Sequence, residues 1–470
     1  MCEENPLVLG IDIGTTSIKV GLLCVASNKI VAFQTKDTQA NVPSELGHEG
    51  HKQNAPKIMS ALHVCVSRLP SHLTKRVTSI GICGQMHGVM FWEYDDDAPW
   101  VKTDDSTRYD VTPNSVSSLY TWQDSRCDPE FLDSLPRPSS GAMLASGYGT
   151  ATIFWFHRNR TEKLEKYNCA GTIQDFAVAM LCNMHRPVMS VQNAKSWGYF
   201  DVAKKQWERG VLEEAGFPVG LLPEVVTSGH QAGLLADTWN GVPAGIPVMA
   251  ALGDLQCSVL SVLHHSDDAV LNISTSAQMA FVLPSAEPYI SRDHNAVIEL
   301  WPYFEGKFLA VAATLNGGNA LATFITMLQH WMLDLGYHVP QSTLWDKAIE
   351  LASKCEDSDL EVKPTLLGER GDPTTHASVS NITLGNISLG KTFKASCVGV
   401  ITNLHRMMPR ELLLENNISR ILGTGSALSK NKILQEEVKM IYQLPVVFDS
   451  KSDAALGAAL AASKYMNKAS

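Results

Sequence analysis

The stretch VLGIDIGTTSIKVGLL, residues 8–23, joins two apolar runs through a short turn of small and hydroxyl residues. The runs predict a buried β-hairpin, because short apolar runs bounded by turn residues are typical of core strands. Two features do not suit an ordinary core hairpin: the carboxylate of Asp12 on the first strand, and the polar turn at Gly14, Thr15 and Thr16. The turn therefore needs a structural or a chemical explanation.

Backbone N–H groups at a turn of small residues can converge on an anion, so this turn has the chemistry of a phosphate site. A buried carboxylate such as Asp12 is costly unless it faces a cation or strong donors, and Mg²⁺ carried by a nucleotide would meet that need. The alternative is an ordinary hairpin turn in which Asp12 bonds nearby backbone groups. The sequence has no dinucleotide-binding glycine fingerprint after a strand, so a nucleotide would not be held in a site of the dinucleotide-binding type.

A second hairpin of the same plan follows late in the chain, AVLNISTSAQMAFVL at residues 269–283. Internal similarity of this kind indicates two domains built alike. Apolar runs alternate with amphipathic segments throughout, such as NAPKIMSALHVCVSRL from Asn54, and this alternation is typical of an α/β protein. We predict two domains, residues 1–256 and 257–470, with the two polar turns facing each other across a cleft.

Composition narrows the range of functions. The 470 residues are 45% hydrophobic and 18% charged, as in globular proteins, and the net charge of −10 without a Lys/Arg run disfavours nucleic acid or an anionic membrane as a partner. The absence of a signal-like segment and of a long apolar run predicts a cytoplasmic protein. The ten cysteines form no C-x-x-C pair, and five of them, Cys24, Cys65, Cys83, Cys257 and Cys397, lie in apolar segments, which predicts reduced core thiols.

Two further segments carry candidate chemistry. Asp254 is isolated among small and apolar residues in AALGDLQCSVLSVL, where it is either the N-cap of the next helix or a general base that takes a proton from an attacking hydroxyl. The turn ILGTGSALSKN, residues 421–431, joins a predicted strand to a helix. Its Gly423, Gly425 and Ser426 are either the floor of an adenosine pocket or a plain connection.

Polar and aromatic side chains suited to a polyol lie in GICGQMHGVMFW and TWQDSRC, namely Gln85, Met86, His87, Trp122, Asp124 and Arg126. Amide, imidazole and carboxylate groups can pair with vicinal hydroxyls, while an indole covers C–H groups. Taken by itself, His87 would be interpreted as a core histidine. Residues 95–118 are acidic and rich in turn formers, which predicts a solvated surface loop.

The shared order of these motifs resembles the FGGY carbohydrate kinases over nearly the whole chain. GIDIGTTSIKV resembles the family's first phosphate loop, GQMHG its ketose-binding strand end, TWQDSRC its W-x-D-x-R segment, LGDLQCSVLS its G-D catalytic segment and VKPTLLGERGDP its P-x-L-x-G-E-R loop. The resemblance implies two actin-like ATPase domains, of the ribonuclease H-like class, facing each other across a catalytic cleft. It also implies an enzyme that phosphorylates a sugar with ATP and Mg²⁺.

The resemblance also implies residue roles. Asp254 would contact the sugar and deprotonate its terminal hydroxyl, and Asp12 would position Mg²⁺ through its water shell. Residues of the three turns would meet the nucleotide, namely Gly14, Thr15, Thr16, Lys19, Ser274, Thr275, Gly423, Gly425, Ser426 and Asn431. Three departures from the family pattern stand out: Ser274 and Ala277 replace frequent glycines, Val398 replaces an acidic residue, and GTGSALSKN replaces a glycine triplet.

The segment GQMHG has the form associated with ketose kinases rather than with glycerol kinases. Within the ketose group the resemblance favours sedoheptulose as the substrate, phosphorylated at O7, with xylulose as the alternative. Two other classes of function stay open: a non-catalytic sensor of sugar or nucleotide, and an actin- or chaperone-type ATPase. Asp12 and Asp254 together favour an enzyme over the sensor, and the polyol set disfavours the second class. The sequence leaves the oligomeric state open.

Overall fold

The computed structural model describes residues 5–47, 50–103, 107–263, 265–285, 297–356, 358–369, 374–448 and 453–469. The chain divides into two compact units. Unit 1 comprises Met1–Ser261, Pro302–Glu305 and Asp453–Ser470, and unit 2 comprises Val262–Trp301 and Gly306–Ser452. Both units mix strands and helices, so the predicted α/β class is confirmed.

The strands of the described residues are β1 (Leu7–Ile13), β2 (Ser17–Cys24), β3 (Lys29–Asp37), β4 (Asn41–Val42), β5 (Lys52–Gln53), β6 (Val77–Gly84), β7 (Met90–Trp92), β8 (Trp100–Lys102), β9 (Tyr109–Val111), β10 (Leu119–Tyr120), β11 (Cys169–Gly171), β12 (Val188–Ser190), β13 (Phe200–Asp201), β14 (Gln206–Trp207), β15 (Glu224–Val226), β16 (Gln231–Leu234), β17 (Pro247–Met249), β18 (Leu252–Gly253), β19 (Asp268–Ile273), β20 (Ala277–Leu283), β21 (Ile298–Pro302), β22 (Phe308–Thr314), β23 (Glu361–Lys363), β24 (Ser378–Ser380), β25 (Arg420–Thr424) and β26 (Val446–Phe448).

The α-helices are α1 (Ala55–Ser67), α2 (Ser71–Thr74), α3 (Pro129–Asp133), α4 (Gly149–Asn159), α5 (Ile173–Cys182), α6 (Val191–Trp197), α7 (Arg209–Glu214), α8 (Asp254–Val262), α9 (Gly318–Asp334), α10 (Gln341–Ser353), α11 (Leu389–Met407), α12 (Arg410–Glu415), α13 (Ser426–Lys430), α14 (Lys432–Tyr442) and α15 (Ala454–Ala469). None of these helices is long and apolar enough to cross a membrane.

The opening stretch forms the predicted hairpin in the central sheet of unit 1. That sheet has the order β16-β17-β6-β1-β2-β3, and β18 also pairs with β6. β1 pairs antiparallel with β2 and parallel with β6, and every residue of β1 is buried. The helix predicted from Asn54 is α1, and the Asn54 side chain accepts a hydrogen bond of 2.9 Å from the N–H of Lys57, as expected of an N-cap.

The second hairpin occupies the same place in the sheet of unit 2. There the order is β21-β22-β20-β19-β25-β26. β19 pairs antiparallel with β20 and parallel with β25, which repeats the arrangement of β1, β2 and β6. The repeat found in the sequence is therefore a repeat of sheet topology.

Helix α15 packs on the sheet of unit 1, although it ends the chain. A Cβ atom at Gly10 would overlap the carbonyl oxygen of Ala455, and one at Gly81 would overlap that of Ala458. Glycine on β1 and β6 thus lets the helix approach the sheet backbone closely. The division predicted from the sequence, 1–256 and 257–470, placed this helix with the second domain, whereas the compact units place it with the first.

Several smaller predictions concern surface segments and cysteines. The predicted loop 95–118 contains two short strands, β8 and β9, which pair antiparallel, and its residues 104–106 lie outside the described residues. Arg370 of the P-x-L-x-G-E-R loop also lies outside them. All cysteines of the described residues are free thiols, and the five predicted to be core residues are buried.

Candidate active site

Three strand ends of unit 1 bring the predicted reactive residues to one edge of the sheet. In the register, Asp12 of β1 lies beside Cys83 of β6, and Cys83 lies beside Leu252 of β18. All three strands run in the same direction, so their carboxyl ends meet at the same edge. The turn after β1, Gln85 after β6 and Asp254 after β18 therefore leave the sheet side by side.

Asp12 is buried next to Lys19 of the neighbouring strand. Its Oδ2 lies 3.3 Å from Lys19 Nζ, and the residue is only 5% exposed. Burial raises the pKa of the Asp12 carboxyl to about 6, Lys19 opposes this rise, and Asp453 adds to it. For Lys19, burial works to lower the pKa, but the charges of Asp12 and Asp453 outweigh it and raise the pKa above its ordinary value. The surroundings of Asp12 thus carry more negative charge than Lys19 alone neutralises.

Asp254 is the first residue of α8 and is half-buried. Its Oδ1 accepts a hydrogen bond of 2.7 Å from the N–H of Leu255. Burial raises the pKa of this carboxyl to about 7, the charge of Asp12 adds to the rise, and the Leu255 N–H opposes it. Both interpretations from the sequence are therefore compatible with its position, because Asp254 starts a helix and also has the pKa of a general base at neutral pH.

The turn after β1 is held by its own backbone and by neighbouring loops. The N–H of Gly14 donates to the carbonyl oxygen of Ser17 (3.1 Å), and the carbonyl oxygen of Thr16 accepts from the N–H of Thr38 (2.9 Å). The hydroxyl of Thr15 donates to Gln85 Oε1 at 3.3 Å and accepts from the indole N–H of Trp122 at 3.0 Å. The side chain of Thr15 is therefore engaged within the protein, so backbone groups are the better candidates for contact with phosphate.

Met86 and His87 follow Gln85 at the end of β6. Met86 is buried, and its sulfur lies beside Gly253 of β18, the residue before Asp254. His87 has a φ of 73°, uncommon for a residue with a side chain, and its ring stacks on Tyr148 with centroids 4.7 Å apart. Its Nδ1 lies 2.9 Å from the carbonyl oxygen of Ser196 and must donate to it, which makes Nε2 the acceptor nitrogen of the neutral ring.

The W-x-D-x-R segment divides into one exposed and two buried side chains. Trp122 is 37% exposed, whereas Asp124 and Arg126 are buried and form a bidentate ion pair with distances of 2.6 and 2.9 Å. Asp124 Oδ2 also accepts from the N–H of His51 at 2.9 Å. The guanidinium lies over three aromatic rings, those of Tyr120, Trp155 and Phe156. The pair is thus buried, with Arg126 Nη1 left without a hydrogen-bond partner, and the direct contact of these two side chains with a sugar stays a prediction.

The candidate phosphate turn of unit 2 is tied to two helix starts. The carbonyl oxygen of Ser274 accepts from the N–H of Gly318 at 2.9 Å, and that of Thr275 accepts from the N–H of Asn319 at 3.0 Å. Ser274 Oγ also accepts from the N–H of Ser426, the first residue of α13, at 3.3 Å. Ser274, Thr275 and Ser426 therefore come together within this unit.

The glycine turn between β25 and α13 has the predicted strand-to-helix form. Gly425 has a φ of 98°, and a Cβ there would overlap the carbonyl oxygen of Ile273, so only glycine suits this position. Gly423 lies within β25 against the ring of Phe448. Asn431 is different, because it is buried and its Oδ1 caps α14 by accepting from the N–H groups of residues 433 and 434. Its carboxamide oxygen is therefore bonded to the start of α14 in this structure.

Three parts of these sites were missed by the sequence reasoning. Gly317 and Gly318 bring the start of α9 against the second hairpin turn, and the Gly-Gly pair after an apolar strand was the available signal. Asp453 caps α15 and acts on the pKa of Asp12, but it lies far away in sequence. Gln53 contacts both the first turn and Gln85, and its sequence surroundings give no sign of this.

Within the described ranges no group of three or more His, Cys, Asp or Glu residues is placed to hold a metal ion.

Comparison with known proteins identifies what the chain is similar to. Residues 7–261 match the model for the N-terminal domain of the FGGY family of carbohydrate kinases. The chain is 45% identical to sedoheptulokinase of Mus musculus over 464 residues and 45% identical to that of Homo sapiens over 465 residues, with 97% of each chain covered in both comparisons. Among solved structures, a xylulose kinase from Rhodospirillum rubrum superposes with a TM-score of 0.80 at 16% identity, covering 98% of this chain and 90% of that one.

Proposed function

Because the chain belongs to the FGGY family of carbohydrate kinases, we propose that it transfers the γ-phosphate of ATP to O7 of sedoheptulose. The observation that carries this substrate is the 45% identity to two sedoheptulokinases over 97% of the chain. The fold has the two actin-like, ribonuclease H-like domains expected of such kinases. The roles of the individual side chains in binding and transfer belong to the same proposal.

Asp254 acts as the general base. It takes the proton from the attacking hydroxyl of the sugar, and its carboxylate also fixes that hydroxyl by a hydrogen bond. A pKa near 7 suits this task, because the group is ionised often enough at neutral pH and still accepts a proton readily. Its place at the sheet edge beside the first turn supports this role.

Asp12 would hold the Mg²⁺ that accompanies ATP, through the water shell of the ion. The residues fit such a cation, because the charge of Asp453 raises the pKa of Asp12, the charge of Asp12 raises the pKa of Asp254, and Lys19 opposes both rises. When bound, Mg²⁺ would neutralise charge that develops on the phosphates. Lys19, paired with Asp12 and with its side chain 38% exposed, can also meet a phosphate.

The phosphates contact the protein mainly through backbone N–H groups. In unit 1 these belong to Thr15 and Thr16 of the turn, because the N–H of Gly14 donates to the carbonyl oxygen of Ser17 and the Thr15 hydroxyl is engaged with Gln85 and Trp122. In unit 2 the proposed nucleotide residues are Ser274, Thr275, Gly423, Gly425 and Ser426. Asn431 supports them indirectly by capping α14.

Sugar contacts come from Met86, His87, Trp122 and Asp254. Nε2 of a neutral His87 accepts a hydrogen bond from a sugar hydroxyl, and the exposed face of Trp122 covers C–H groups. The predicted sugar contacts of Gln85, Asp124 and Arg126 belong to the same proposal, with Gln85 bonded to Thr15 and Arg126 paired with Asp124. We also propose a cytoplasmic location, which the free thiols of the described cysteines support.

A panel of sugars tests the substrate. Purified protein with Mg·ATP is given sedoheptulose, xylulose, ribulose, glycerol or no sugar, and ADP release is measured across a range of concentrations. We expect the highest kcat/KM with sedoheptulose. A higher kcat/KM with xylulose would transfer the proposal to the second candidate, while sugar-independent release, or none at all, would contradict a sugar kinase.

The pH dependence of the rate tests the role of Asp254. The base must be ionised to act, and burial raises its pKa to about 7. The measured quantity is kcat/KM for Mg·ATP at a low, fixed concentration of sugar. This quantity should fall by about tenfold for each pH unit below 7. Protein held at low pH and assayed at pH 8 controls for acid inactivation. A rate that stays level down to pH 5 would indicate a base with an ordinary aspartate pKa and would contradict this assignment.

A further inference from the structure

Thr15, Gln53 and Gln85 form a closed ring of hydrogen bonds in unit 1. The hydroxyl of Thr15 donates to Gln85 Oε1 at 3.3 Å, and Gln85 Nε2 donates to Gln53 Oε1 at 3.2 Å. Gln53 Nε2 then closes the ring by donating to the carbonyl oxygen of Thr15 at 2.7 Å. Within the ring, each of the three side chains donates one hydrogen bond. Gln53 and Gln85 accept one through their side-chain oxygens, and Thr15 accepts one through its backbone carbonyl oxygen.

The ring joins segments that are distant in the sequence. Thr15 belongs to the turn after β1, Gln85 follows β6, and Gln53 lies in β5, which pairs with β4 and β10 in a small separate sheet. Gln53 is 1% exposed and Gln85 is 2% exposed. A buried network whose members are all satisfied holds its geometry closely, because breaking any bond leaves a polar group unpaired away from water.

Neighbouring groups fix the ring further. Gln53 Nε2 also donates to Asn41 Oδ1 at 2.8 Å, and the carbonyl oxygen of Gln85 accepts from Gln174 Nε2 at 3.1 Å. The indole N–H of Trp122 donates to the hydroxyl of Thr15 at 3.0 Å. Trp122 is 37% exposed, so a ligand can reach the network from this side.

We infer that Gln53 is a positioning residue that couples the sugar side of the site, at Trp122, to the phosphate turn at Thr15. The inference rests on the proposed function, in which Trp122 meets the sugar and the turn meets ATP. A sugar bound against Trp122 restricts the motion of the indole, whose N–H is bonded to the Thr15 hydroxyl. The ring of hydrogen bonds then restricts the backbone of the turn that binds phosphate. The amide at position 53 supplies both the acceptor for Gln85 and the donor for the turn carbonyl.

The coupling is measured as a ratio of affinities. The Kd of an ATP analogue with a β,γ-imido bridge, in the presence of Mg²⁺, is determined by calorimetry with and without saturating sedoheptulose. In the unaltered protein the sugar should tighten nucleotide binding by about fivefold or more, as in other coupled sites. No tightening in the unaltered protein would overturn the inference.

Gln53→Glu is the main variant, because it keeps the shape and the acceptor for Gln85 but turns a carboxylate towards the carbonyl of Thr15. We expect the ratio to fall to about one, while the Kd for sedoheptulose alone changes by less than about threefold. Gln231→Glu, at an exposed glutamine of β16, makes the same change of charge and should keep the ratio of the unaltered protein. A purely structural role for Gln53 would weaken both ligands and leave their ratio intact, which would overturn the inference.

Gln53→Met covers the case in which the buried charge prevents folding, since it removes the hydrogen bonds without adding a charge. We again expect the ratio of the nucleotide Kd values without and with sedoheptulose to fall to about one. A ratio equal to that of the unaltered protein would refute the coupling. Phosphoryl transfer by the unaltered protein tests the proposed function separately. If the protein binds both ligands with coupling but transfers no phosphate, the proposed function is refuted and the coupling role of Gln53 still holds.

Discussion

Asp254→Asn is expected to lower kcat by about 10²- to 10⁴-fold while leaving the affinities for sedoheptulose and Mg·ATP nearly unchanged. The asparagine has the same shape and can still hold the sugar hydroxyl, but it cannot take up its proton. Calorimetry gives the two affinities, and ADP release gives kcat. Because the carboxyl starts α8 and accepts the N–H of Leu255, the amide oxygen preserves the helix start as well.

Asp346→Asn is the matched control for this experiment. Asp346 is exposed on α10, and its replacement removes one negative charge without touching any residue of the site. Its kcat should equal that of the unaltered protein. Near-normal turnover in Asp254→Asn would remove Asp254 from the role of base.

Gly457→Ala is expected to lower the free energy of unfolding by about 2 kcal/mol, as typical of overpacking. In an open helix the same change would stabilise the fold by up to about 1 kcal/mol, since alanine is the better helix former. Here the added methyl group would overlap the carbonyl oxygen of Cys257 in α8. To relieve the overlap, α15 must move away from the helix that begins at Asp254, so activity should fall as well.

Gly210→Ala provides the comparison for Gly457→Ala. Gly210 lies in α7, and a Cβ atom there would meet nothing within 4 Å. Urea denaturation should show a small gain in stability for this variant and a loss for Gly457→Ala. A gain for both would mean that α15 does not pack as closely on α8 as the structure indicates.

The elements that the sequence predicted well are those defined by local patterns. The hairpin at residues 8–23 and the repeat at 269–283 combine apolar strands with turns of small residues, and both formed as predicted. Asp12 and Asp254 were recognisable because a carboxylate among apolar residues is unusual, and their strands run parallel in one sheet. Local patterns thus drew attention to two carboxylates that the structure brings to the same edge of one sheet, and their roles stay a prediction.

What the sequence could not predict depends on contacts between distant segments. Nothing near Arg126 indicates that Trp155 and Phe156 would join Tyr120 around its guanidinium, and the contact of this segment with a sugar stays a prediction. Gln53 stands in a strand of two residues, too short for any periodicity to mark it. The same reason explains Asp453, whose effect on Asp12 arises only when α15 packs on the first unit.

The most direct test of the account is the identity of the product. Purified protein, Mg·ATP and sedoheptulose are incubated together, and the sugar product is examined by phosphorus and carbon NMR, with Asp254→Asn as the blank. The account predicts a phosphate ester whose phosphorus couples to C7 and its protons, formed in step with ADP and absent from the blank. A phosphate ester at another carbon, or ADP formed without any sugar phosphate, would contradict it.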